Sequence, residues 1–121
     1  TAIAGLTQRL GLSMATFAVS GRVSVATVGT YDPTQQVWVT RQETGGADIV
    51  YCRGDVVLDQ GRPLVCGQIL LADGKGHHYG GRLFSDTLVQ AAEIRLVELV
   101  GTLPARRYDP LSALWRLPET L

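Results

Sequence analysis

The stretch from Pro63 to Phe84, PLVCGQILLADGKGHHYGGRLF, holds the side chains of this sequence best suited to chemistry. It contains both histidines, His77 and His78, and one of the two cysteines, Cys66. Imidazole and thiolate are ordinary zinc ligands, and the same groups can form a nucleophile with its base. Metal binding needs the donors on one face. In a strand, residues i and i+2 share a face, whereas neighbours such as His77 and His78 point apart. The adjacent pair therefore reads as hairpin or interface histidines rather than as ligands. A nucleophilic Cys66 needs a nearby cation or base to lower its pKa. No such base and no oxyanion hole can be read from the sequence, so a buried apolar cysteine ranks well ahead of a Cys66-dependent enzyme.

Turn signals and apolar periodicity outline the elements that must position these residues. Residues 3–12 place Ile3, Leu6 and Leu10 on one helical face, and Gly11 reads as the stop. ATFAVSG reads as a short strand closing at Gly21, with Arg22 to Val28 continuing extended. Gly29 to Gln36 is expected to turn, punctuated by Asp32-Pro33. VWVT is a strand that TGG at 44–46 should end, and Asp48 to Leu58 is a strand with a bulge expected at Gly54. Asp59 to Pro63 and Asp73 to Gly76 are tight turns flanking a strand over Leu64 to Leu71. Leu88 to Val100 fits either period: Leu88, Ala92, Ile94, Leu96 and Val100 alternate, while Leu88, Ala91, Ala92 and Leu99 share a helical face.

At 121 residues the chain is read as a single domain, 1–121, with 102–121 a C-terminal tail that docks Leu114 and Trp115. Formal net charge is zero, with 11 basic and 11 acidic side chains, so no strong field draws in nucleic acid or an anionic membrane. Neutrality favours self-association. Two cysteines in apolar runs make no disulfide framework and point to a reducing, cytoplasmic setting. No apolar run approaches the roughly 20 residues that span a bilayer, and no signal peptide is visible. Gln60-Gly61-Arg62-Pro63 imitates the core of an AT-hook, but its first arginine is missing and the segment lies between two strands. A turn is the expectation there, and direct nucleic-acid binding is excluded in this reading.

The order of the pieces resembles one family, the plant and prokaryote conserved domain, also called the domain of unknown function 296 family. The resemblance rests on Gly29-Thr30-Tyr31-Asp32, Asp48-Ile49-Val50 with Gly54, Gly61-Arg62-Pro63, Leu71-Ala72-Asp73-Gly74, Gly80-Gly81-Arg82-Leu83 and Ala92-Glu93-Ile94, followed by Arg107-Tyr108-Asp109-Pro110. It covers nearly the whole chain. It implies an α+β fold: a mostly antiparallel β-sheet with a few flanking helices, commonly assembled as a homotrimer. By resemblance, Leu88 to Val100 is a long strand. Plant relatives use a Gly-Arg-Phe-Glu-Ile-Leu segment for partner contacts; the matching Gly45 to Val50 keeps the acid and the aliphatic pair but lacks the Arg and Phe.

Bacterial relatives bind a metal, usually assigned to zinc, with a His-x-His strand and a Gly-Gly-His segment. The matching positions here are Cys66, Gln68 and Arg82. A thiol, a neutral amide and a permanent cation are a poor zinc set, so the resemblance implies a degenerate pocket without metal or other cofactor. We expect the Arg82 guanidinium to take over part of the ion's charge role, pairing with Glu93 or binding a small anion such as a carboxylate or phosphate. The sequence therefore leads to a non-catalytic oligomeric domain, an assembly or interaction module that is not expected to be an enzyme. The alternative is a small-anion binder whose pocket is built around Cys66, Gln68, Arg82 and Glu93.

Overall fold

The structure, a computed structural model, describes residues 2–101 and 106–116. Helix α1 (Ala2–Arg9) opens the chain and packs Ile3 against the core. Gly11, at φ 68°, stops it as its sequence position suggests. The Gly11 N–H donates to the Gln8 carbonyl at 3.2 Å and the Leu12 N–H to Thr7 at 3.1 Å, which satisfies two carbonyls the helix end would orphan.

Two long strands follow, β1 (Met14–Asp32) and β2 (Val37–Asp59), of 19 and 23 residues. The sequence suggests breaks in both, at Gly21 and at residues 44–46. Instead the strands run through these places on register shifts, between Ala18 and Gly21 and between Val23 and Val25. Gly45 and Gly46 take φ of 103° and 85°, so the backbone bulges and bends while pairing resumes beyond. The turn begins only at Pro33, where Asp32 Oδ1 accepts from the Thr34 N–H at 2.9 Å. No bulge occurs at Gly54. Phe17, Gly54 and Gly67 are paired in register, and the glycines make room for the Phe17 ring. A Cβ on Gly54 would lie 2.8 Å from Phe17 Cζ, and one on Gly67 2.9 Å.

Strands β3 (Arg62–Ala72), β4 (His78–Leu83) and β5 (Leu88–Glu98) complete the main sheet. Its order is β2-β3-β4-β1-β5, all antiparallel, and β1 pairs with β2 as well. The pairings β1–β2, β2–β3, β3–β4 and β4–β1 thus close into a ring, and β5 lies along β1 outside it. The double period of residues 88–100 resolves as a strand, because β1 from Ala15 to Val25 has an open edge that only a strand can pair. The β2–β3 hairpin turns on Gln60 and Gly61, both at positive φ (52° and 80°), which is a tight turn and not the extended segment an AT-hook requires. Among the described residues there is one helix where a few were expected, and it is too short to cross a membrane.

The ring encloses Phe17, Val23, Ala26, Val28, Ala47, Cys52, Val56, Ile69 and Leu71, the last fully buried. Of the expected tail, residues 102–105 and 117–121 lie outside the described residues. Between them β6 (Arg107–Asp109) and β7 (Leu114–Arg116) form a small hairpin.

Candidate functional site

Side chains opposite one another in register share a face of the sheet, and i, i+2 neighbours share it too. Residues that alternate with the core therefore make a second, outward face. One row crosses it from strand to strand: Arg95 opposes Ala18, Ala18 opposes Arg53, Arg53 opposes Gln68, Gln68 opposes Arg82, and Arg82 opposes Gly29. The adjacent row is Val97, Thr16, Asp55 and Cys66. All of these residues line a cavity of about 1110 Å³, which Arg106, Leu114, Trp115 and Arg116 wall from the C-terminal hairpin.

The electrostatics of this cavity are one-sided. Five arginines line it, Arg53, Arg82, Arg95, Arg106 and Arg116, and Asp55 is the single acid among the lining residues. Asp55 already pairs with Arg106, whose Nη1 also donates to the Trp115 carbonyl at 2.6 Å. Arg116 pairs with Asp109 at 3.3 Å. Among the described residues no carboxylate pairs with Arg53, Arg82 or Arg95. Two of these three are held by aromatic rings. The Arg82 guanidinium lies 5.2 Å from the Trp38 ring centroid, and that of Arg53 lies 5.6 Å from Tyr51. Such contacts orient a guanidinium without neutralising it.

Cys66 sits where Arg82 Nη2 approaches its Sγ at 3.9 Å. Burial pushes its thiol pKa up, and the pull of Arg82 and Arg106 does not outweigh this, with Asp55 opposing them. The thiol thus stays protonated near neutrality, which does not suit a nucleophile. Cys52, on the core face, is pushed up to about 11 by burial.

The structure brings Cys66, Gln68 and Arg82 into one cavity. It does not bring Glu93 to them. Glu93 opposes Ser20 on the exposed strand β5 and is not among the lining residues; from Arg82 it is separated by β1. His77 lies in the turn before β4, with Nδ1 3.3 Å from Asp73 Oδ2, and His78 opposes Ala72; neither lines the cavity. Among the described residues no three His, Cys, Asp or Glu side chains gather as a metal site would need. A thiol in contact with a guanidinium beside a neutral amide does not fit zinc. The sequence reading missed Arg53, Arg95, Arg106, Asp55 and Trp38. Position parity held a signal for Arg53, because 51, 53 and 55 alternate with the apolar 50, 52 and 56; nothing local pointed to Arg106.

This fold and cavity define a closed antiparallel β-domain with a cationic outer face. The sequence profile of the Plants and Prokaryotes Conserved domain matches residues 1–100, and the chain belongs to that family. Solved structures share the architecture. One is a metal-containing protein from Archaeoglobus fulgidus, 28% identical with a TM-score of 0.86, covering 98% of this chain and 83% of its own. A plant- and prokaryote-conserved protein from Pyrococcus horikoshii is 24% identical with a TM-score of 0.87, covering 98% of this chain and 82% of its own. A candidate DNA-binding protein from Ralstonia eutropha is 21% identical with a TM-score of 0.82, covering 97% and 81%. No curated protein matches the chain.

One expectation is corrected by these comparisons. The exclusion of nucleic acid does not stand, since two proteins of this fold, from Ralstonia eutropha and Bacteroides thetaiotaomicron, are candidate DNA-binding proteins. The exclusion rested on a net charge of zero and on the incomplete AT-hook at Gln60-Gly61-Arg62-Pro63. Net charge governs the far field, whereas a ligand meets the local arrangement, and here arginines collect on one face.

Proposed function

We propose that this chain forms one domain, a non-catalytic, homotrimeric member of its family that binds an anion in the cavity built around Arg82, Gln68 and Cys66. The observation that carries the reading is the row Arg95, Arg53 and Arg82, three guanidinium groups on one cavity face without a carboxylate partner among the described residues. Uncompensated like charges on one face repel, and an anion relieves that repulsion. The oligomeric part is supported by β5, exposed along nearly its whole length and presenting Leu88, Val89, Ile94 and Val97 to solvent. A single chain gains nothing by that exposure, whereas subunits packed on it bury the apolar surface.

The test is thermal unfolding in phosphate and in carboxylates, wild type against Arg82→Ala. A ligand at ten times its Kd adds about 1.4 kcal/mol, or roughly 4–6 °C in Tm. We expect that rise in the wild type and its loss in the variant. Equal responses of the two proteins remove the anion site, and light scattering that finds a monomer removes the trimer. Duplex DNA is the second arm, because the candidate DNA-binding relatives make a phosphate backbone the competing occupant of the same face. DNA binding with no response to small anions favours that reading instead.

A further inference from the structure

Resting on that reading, we infer that the cavity is built for a two-headed anion, with two charged groups joined by a short linker, as in an organic diphosphate or dicarboxylate. Arg53 and Arg82 are the two receiving groups. They stand two strands apart, with Gln68 on the strand between them. Two interstrand steps separate their backbones by about 10 Å.

The guanidinium groups do not collapse onto one point. Arg82 lies over Trp38, and Arg53 lies over Tyr51. Trp38 opposes Tyr31 on the side of the ring beyond Gly29, whereas Tyr51 is two residues before Arg53 on its own strand. Each cation thus leans on its own ring, and Arg82 also reaches Cys66 on the strand between them. A monoanion reaches one of them well. Only an anion with separated heads satisfies both, and each head then gains a charge-assisted hydrogen bond. Gln68 faces the middle of such a ligand, where its amide can donate to a bridging oxygen or a linker carbonyl. The two terminal nitrogens of Arg106 are already held by Asp55 and the Trp115 carbonyl, so Arg53 and Arg82 are the more available cations. The cavity's volume of about 1110 Å³ leaves room for an organic body against Leu114 and Trp115.

The fixed backbone spacing makes ligand length the readout. Calorimetric titration of the 121-residue chain would compare orthophosphate with pyrophosphate and ADP, and acetate with succinate and adipate. The two series separate a phosphate head from a carboxylate head. We expect the two-headed probes of one series to bind at least about tenfold tighter than their one-headed counterpart. Arg53→Gln should bring that ratio down to about one to two while keeping one-headed binding within a few-fold, and Arg82→Gln should lose binding of both kinds. Arg22→Gln, which alters a surface pair with Asp48, should leave the ratio unchanged. Far-UV circular dichroism of each variant guards against misfolding. One-headed and two-headed anions of equal affinity, both lost in Arg82→Gln alone, overturn the two-headed site but leave the anion reading standing. No response to any anion overturns both.

Discussion

The two cysteines occupy the two faces of one sheet, and their contrast captures how this chain is divided. Cys52 points into the ring among Phe17, Val56 and Ile69, where burial alone pushes its pKa up to about 11. Cys66 points outward, 3.9 Å from a guanidinium nitrogen of Arg82, with Asp55 opposite on β2. The same strands thus carry a dry, apolar interior at one parity and a cationic cavity at the other. The first set of positions packs the core, and the proposed anion site draws on the second. Substitutions at the two parities should therefore fail in different ways.

The largest effect is expected at the glycines beneath Phe17. Gly54→Val forces a branched side chain into a position 2.8 Å from Phe17 Cζ, and we expect the loss of a folded, cooperative unfolding transition. Leu71→Ala, at a fully buried position, should cost about 2–5 kcal/mol in denaturant unfolding. Asp55→Asn leaves the Arg106 cation partly buried without its partner and should cost about 2 kcal/mol. It should also free the hairpin β6–β7, seen as faster amide exchange at Tyr108 and Trp115. An unchanged exchange rate there would show that the pair does not hold the hairpin.

A pH series sharpens the comparison. In the unfolded chain Cys52 loses its proton near its ordinary value of 9.0, while in the folded chain it keeps it to about 11. Between those values the folded state binds more protons, so stability falls as pH rises. The loss reaches at most about 3 kcal/mol, and Cys52→Val should flatten that part of the curve. The smallest effect is expected at the outer-face arginines that have no carboxylate partner among the described residues. Arg53→Gln should change stability by less than about 0.5 kcal/mol, because that arginine has no carboxylate partner among the described residues. A cost as large as that of Leu71→Ala would mean that the outer face is structural rather than receptive.

Much of the fold was legible in the residues. Gly11 as the helix stop and the turns at Gln60-Gly61 and Asp73 to Gly76 rest on local chemistry that acts without tertiary help. The errors arose where distant pairing overrides local signals. Gly21 and Gly45-Gly46 read as ends because glycine usually breaks strands, yet β1 and β2 each supply the other's hydrogen bonds on both sides of the bulge. Three members of the site, Cys66, Gln68 and Arg82, came from a resemblance rather than from a pattern. Arg53 and Arg95 become their neighbours only through cross-strand register, which one chain read alone does not contain. Glu93 was matched to Arg82 by charge alone, and register places it on another part of the sheet.

The central claim, that the outer arginine row is a receptive anion site, is tested most directly by the arginine Nε–H resonances of the ¹⁵N-labelled protein during a pyrophosphate titration. The account predicts that the signals of Arg53 and Arg82 shift together and saturate along one binding curve while that of Arg22 stays in place. Small, unsaturating shifts spread evenly over all the arginines, as added salt alone produces, would contradict it.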